Sequence, residues 1–336
     1  MKKLFSAIGK TLLCVLAVAT VLLLGVRLVD GIAFAKFYAN SSPVFATPDI
    51  TKGYVPQGFD YDDERSVFLA TGYMSNGKAS RVYIIDEDGE TRFTELKKEN
   101  GDDYTGHTGG ISHNGAFVYI TGANGIDIFS YTNILDGKTE TAKLGSVCTY
   151  NDPAYCHIRD GYLYTGSFYF PNDYETPAHE RVTTPAGDEN TGLITMFRLD
   201  DNFPFGIEPT PKAVISTRMA VQGVCFTDDN KVVLSTSYGL SASKLFVYDL
   251  NALTGEYYDF VGTTKSGDEF SFAGITRYYL DSASLVETIK APPMSEELVY
   301  LDGKIYVMNE SACNKYIFGK FTTGLHVRAY EYEKGE

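Results

Sequence analysis

Five stretches of this chain repeat one pattern at a period of about fifty residues, and such self-similarity restricts the fold more than any other feature. They are VPQGFDYDDERSVFLATGY from Val55, GHTGGISHNGAFVYITGA from Gly106, AYCHIRDGYLYTGSFY from Ala154, VQGVCFTDDNKVVLSTSY from Val221 and SEELVYLDGKIYVMNES from Ser295. Each joins a short apolar stretch, a polar turn (DDER, HNG, RDG, TDDN, LDG) and an alternating strand that ends in small polar residues. A further strand follows each: SRVYIID, GIDIFSY, GLITMFRL, SKLFVYDL and HVRAYEY. Period-two alternation bounded by Asp, Asn and Gly is the signature of antiparallel hairpins. A fourth strand such as TRFTEL near 91 or SLVETI near 284 completes a blade. The reading is therefore an all-β fold, a β-propeller of five blades. A sixth blade built from 256 to 290 is the alternative. SPVFATPDI near 43 would supply the outer strand of the last blade and close the ring, which removes free sheet edges. Insertions at 171–192 and 253–274 stretch the later repeats.

The PQG and VQGV openings and the LDGKIYV hairpin resemble the broad group of exported bacterial β-propellers that includes the NHL, SMP-30/gluconolactonase and lyase-type propellers. The resemblance spans residues 55 to about 332 and specifies architecture more than activity. It implies a polar site, in some members a metal site, on the propeller axis. The SMP-30 metal set is rich in carboxylates and amides, and the use of histidine here departs from it.

The segment before the repeats is of another kind. Lys2, Lys3 and Lys10 precede the apolar run TLLCVLAVATVLLLGV, long enough to span a bilayer. The lysines place the N-terminus in the cytoplasm and the rest of the chain outside it. A cleaved signal peptide would use Ala33-Phe34-Ala35; Arg27 and Asp30 between run and site favour an uncleaved anchor. The chain thus divides into an anchor (1–35), a linker with a ring-closing strand (36–54) and the propeller (55–336). The formal net charge of −14 argues against nucleic acid as a partner and leads to the expectation of no polybasic patch for anionic lipid. Beyond Cys14 in the anchor, Cys148, Cys156, Cys225 and Cys313 allow three disulfide pairings, or serve as small buried hydrophobes. No C-x-x-C, G-x-S-x-G, Walker A, G-x-G-x-x-G or EF-hand pattern occurs.

In a propeller the innermost strands line the axis. The repeat puts Gln57, His107, His157, Gln222 and Glu296 or Glu297 near its entrance. Two imidazoles and a carboxylate (His107, His157, Glu297) suit a divalent metal able to polarise a carbonyl or activate water. Gln57, Tyr73, Gln222, Tyr238, Glu296 and Glu310 are the candidates for binding a polar ligand. His113 is expected in a solvated hairpin turn, His179 in the first insertion, and His326 as structural. Three functions compete: a membrane-anchored propeller that binds a small molecule or an extracytoplasmic protein on its funnel face, a metal-dependent hydrolase or lyase, and a purely structural envelope protein.

Overall fold

The computed structural model describes residues 2–316 and 318–332. It shows a five-bladed β-propeller preceded by one long apolar helix, α1 (Lys2–Ala33). Each blade is built on four antiparallel strands, the first nearest the axis, and blade 1 adds Glu140–Ala142 in parallel at its outer edge. Those strands are Tyr54–Asp62, Ile111–Asn114, Pro153–Arg159, Val221–Phe226 and Ser295–Leu301 in blades 1 to 5. The turns follow from sequence. Asp160-Gly161 and Asp302-Gly303 both take positive φ (50° and 76°, 50° and 77°), the geometry that lets a two-residue turn follow the strand twist.

The fifth blade closes the ring. Its strands Ser295–Leu301, Lys304–Asn309 and His326–Glu331 are completed by Ser41–Ala46, which pairs antiparallel with the last of them (Ser41 opposite Tyr330). The sixth-blade alternative is not realised. Residues 255–263 and 269–279 form a hairpin on the outer edge of blade 3, with Ala213–Thr217 running parallel to its second strand. Leu285–Ala291 is the outer strand of blade 4. All five blades pack through Val, Ile, Leu and aromatic side chains of the middle strands, among them Leu69, Val118, Leu163, Val233 and Val307, all fully buried.

Helix α2 (Ala35–Ala39) follows α1 and is wedged into the junction of blades 4 and 5. Phe37 is 1% exposed and stacks on Tyr330. The cysteines are unpaired: Cys156, Cys225 and Cys313 are buried, as the second reading has them, whereas Cys148 is exposed and fits neither reading.

Candidate functional site

The axis is closed by one residue. Glu297 is fully buried, and its carboxyl oxygens accept from three backbone amides: Oε2 from Phe59 (2.8 Å) and Ile111 (3.1 Å), Oε1 from Cys156 (3.0 Å). The inner edges of first strands carry N–H groups that no neighbouring strand takes up, and buried donors need acceptors. Glu297 supplies them for blades 1, 2 and 3. Burial pushes its carboxyl well above the usual range, against the pull of the three amides. Glycine lets the strands meet here. A Cβ on Gly110 would lie 2.5 Å from Cys156 N, and one on Gly223 would lie 2.4 Å from Glu297 Cα.

These contacts fix the true register: Gly58, Gly110, Tyr155, Gly223 and Glu297 form the axial layer. In that frame His107 precedes Gly110 by three residues and His157 follows Tyr155 by two. They therefore lie toward opposite ends of the axis, on the order of 15 Å apart at the rise of an extended chain. The structure does not bring His107, His157 and Glu297 together, and no metal-holding group of three His, Cys, Asp or Glu occurs among the described residues. The equal spacing of the two histidines in sequence is a coincidence of turn and loop lengths.

Gln57, Gln222 and Glu296 share a real structural position. Each sits at a β-bulge near the start of its first strand, where pairing shifts between Pro56 and Gly58, Val221 and Gly223, and Ser295 and Leu298. A bulge re-aims its side chain. In blade 3 the bulge residue is Ala154, which contributes no polar group.

Polar side chains gather at the funnel end of the axis, where the first strands begin. Gln57 Nε2 donates to Glu310 Oε2 (3.0 Å) and to Pro56 O (2.7 Å). Beside them Glu296 is 2% exposed, and its Oε1 finds no hydrogen-bond partner among the described residues. Burial, then the charge of Glu310, pushes the Glu296 carboxyl well up. Burial raises Glu310 to about 7, while Lys315 and the Gln57 hydrogen bond pull it down. The wall holds Tyr73 and His107, whose rings lie 5.0 Å apart, and Lys315, whose Nζ donates to Tyr73 Oη (2.7 Å). His107 is reachable by solvent yet hemmed in by this wall. Desolvation, then the Lys315 charge, pushes its imidazole down to about 4, so it is neutral at physiological pH. Lys315 has no counterpart column in the other repeats, because it follows a strand end in the non-repeating segment ESACNKY.

Tyr238 stands apart from this group. It stacks on Phe170 (centroids 3.4 Å apart) and donates to Asp173, at the start of the first insertion. That insertion leans outward. His179 packs edge-on against Phe260 and Phe270 of the blade 3 hairpin, and neighbouring Glu180 is buried against Ser167.

The opposite end holds a polar pocket of about 220 Å³ lined by Asp60, Ser112, His113, His157, Phe226 and Tyr300, among others. His113 is not in a solvated turn. It lies on the first strand of blade 2 with Nδ1 2.7 Å from Asp60 Oδ2. Burial opposes charging of His113, but the hydrogen bond to Asp60 and the charges of Asp60 and Asp62 carry its pKa above the ordinary value. Asp62 in turn accepts from Arg65 (2.9 Å) and Tyr131. The signal missed in the sequence is the pairing of HNG with DYD across adjacent blades, which no linear spacing displays.

No family model matches the chain, and no curated protein matches it. Solved structures with which it shares a likeness include glutaminyl cyclase of Myxococcus xanthus (8% identity, 87% of this chain and 94% of that one, TM-score 0.43). BamB of Moraxella catarrhalis (11%, 84% and 84%, 0.34) is another. A third is the PQQ-bound aldose sugar dehydrogenase of Streptomyces coelicolor (13%, 81% and 79%, 0.39). Likenesses this distant say nothing of activity.

Proposed function

We propose that the protein is a membrane-anchored, extracytoplasmic β-propeller that binds a ligand or a partner's side chain in the funnel at the start of its first strands. One observation carries this reading: Glu296 is buried with an unpartnered carboxyl oxygen beside Glu310, under a wall of Tyr73, His107 and Lys315. A buried acceptor without a donor costs free energy, so a ligand that brings an N–H or O–H to it gains that energy back. The aromatic wall suits the flat or apolar side of the same ligand. Half-buried Gln222 adds a polar group from blade 4. The apolar helix and the lysines before it support the anchor and its orientation.

The test is thermal stabilisation of the full-length protein by a panel of amines and polyols, beside matched anions. Stabilisation by donor-bearing compounds, lost in the Glu296→Gln/Glu310→Gln double variant, is the expected result. Equal response of both proteins, or none, counts against the funnel. A metal-dependent hydrolase or lyase built on His107, His157 and Glu297 is not proposed, since those three residues do not meet.

A further inference from the structure

The foot of α1 is not followed by slack chain. Lys290 Nζ donates to Ala33 O (3.2 Å) and lies 5.1 Å from the centre of the Phe34 ring. Phe34 and Phe37 are buried in the propeller. Lower on α1, Arg27 Nε donates to Phe321 O (3.2 Å), on the segment that joins the second and third strands of blade 5. That same segment carries Lys315 and begins at Glu310, so it is a rim of the funnel.

The apolar span Lys10–Ala33 has 24 residues. At about 1.5 Å per residue it slightly exceeds a hydrocarbon core of roughly 30 Å. Arg27 then falls within the last turns of the span, where its side chain reaches toward the interface. Phe321, bonded to Arg27 and 42% exposed, is held at that depth.

Charge agrees with this placement. The chain has a net charge of −14, yet Arg27 bonded to Phe321 O, Lys320 next to Phe321 in sequence, Lys36 on α2, Lys290 bonded to Ala33 O and Lys244 opposite Lys290 are all tied to the helix foot or its neighbours. None of the five is paired with a carboxylate among the described residues. Lys244 and Lys290 are directly opposite each other on adjacent strands of blade 4, an arrangement that repels unless anions lie over it. Asp30, the nearby carboxylate on α1, accepts from Tyr38 Oη (2.6 Å). The sequence shows no polybasic run; the fold assembles the patch from four separate segments.

We infer that the propeller itself lies on the bilayer, with this collar of cations on anionic headgroups and Phe321 in the interface. The funnel rim therefore faces the membrane surface, and a ligand reaches the funnel from that surface. The inference rests on the anchor reading proposed above.

The chain has no tryptophan, so one introduced by substitution reports alone. Full-length Phe321→Trp and Leu144→Trp proteins, the latter altered at a 47% exposed position on blade 2, are reconstituted into vesicles with brominated acyl chains. The expected result is roughly twofold or greater quenching at position 321 when phosphatidylglycerol is present, and none at 144. The Lys244→Gln/Lys290→Gln/Lys320→Gln combination should abolish the phosphatidylglycerol dependence. In the wild-type chain, acetylation of Lys244 and Lys290 should be slower on phosphatidylglycerol than on phosphatidylcholine vesicles. Equal quenching at both positions, or acetylation indifferent to lipid charge, overturns the collar while leaving the anchor standing. Failure of the chain to float with vesicles overturns the anchor and the collar with it.

Discussion

At the far end of the axis His113 faces Asp60 at 2.7 Å, and Asp62 is held by Arg65 and Tyr131. At the funnel end Gln57 donates to Glu310, and the neighbouring Glu296 keeps an oxygen with no hydrogen-bond partner among the described residues. Glu297 separates the two ends. Both ends are made of acids, histidine and tyrosine. What differs is satisfaction: a network with every charge matched holds blades together, whereas one left short of donors is kept at a cost that stability alone does not explain. This contrast is the ground for the proposal that the funnel end binds a ligand while the far end holds the blades.

Removing the divider should have the largest effect. Glu297→Ala leaves three buried amides without an acceptor and should destabilise the fold by about 3 kcal/mol or more, measured by denaturant unfolding. A loss below about 1 kcal/mol would mean that water replaces the carboxylate and that the two ends communicate.

The far end comes next. His113→Ala should cost about 2 kcal/mol at pH 5, from loss of a charge-assisted bond to Asp60. Because its pKa is raised in the folded state, the contribution of His113 is complete below the unfolded value near 6.5 and is lost as pH rises through the folded one. The deficit of the variant should therefore shrink at high pH. A deficit independent of pH would show packing, not charge, at this end.

The funnel should behave in the opposite sense on substitution. Burial raises the Glu310 carboxyl from the ordinary 4.5 to about 7, so the folded state binds more protons between those values and stability falls as pH rises through them. Glu310→Gln should remove that slope and leave the protein about 1 kcal/mol more stable at pH 8, while ligand binding weakens. A destabilised Glu310→Gln protein would place Glu310 with the matched networks and erase the distinction. Smallest of all, Tyr73→Phe should change stability by less than about 0.5 kcal/mol, since the partly buried hydroxyl engages only the exposed Lys315. Its effect should appear in ligand affinity instead.

The architecture was legible because hairpins are local. DG turns, alternating strands and the closing strand near Ser41 are written in consecutive residues. The second insertion misled in one respect. EYYDFVGTTKSGDEFSFAG reads as blade material, and it does form strands, but they add to the edge of blade 3. Nothing local distinguishes a new blade from a wider one. The shared bulge of Gln57, Gln222 and Glu296 was visible as the PQG, VQG and SEE openings. The axial register was not, because a shift of a few residues carries His107 and His157 to opposite ends without altering strand composition. Lys315 and the Asp60–His113 pair were missed for a related reason: both depend on contacts between blades, and repeats describe what lies within one.

Ring closure has a consequence for biogenesis. The strand Ser41–Ala46 emerges just behind the apolar helix, yet its ladder partner among the described residues, His326–Glu331, is made almost a whole propeller later. Closing a loop of about 300 residues costs roughly 5 kcal/mol of chain entropy, so the nascent chain must hold four blades open while it waits. Until that last strand is in place, both Ser41–Ala46 and Lys304–Asn309 present an unpaired edge, the kind of edge that invites pairing with another chain. The seal of the fold is thus the one blade contact that joins the first described strand to the last.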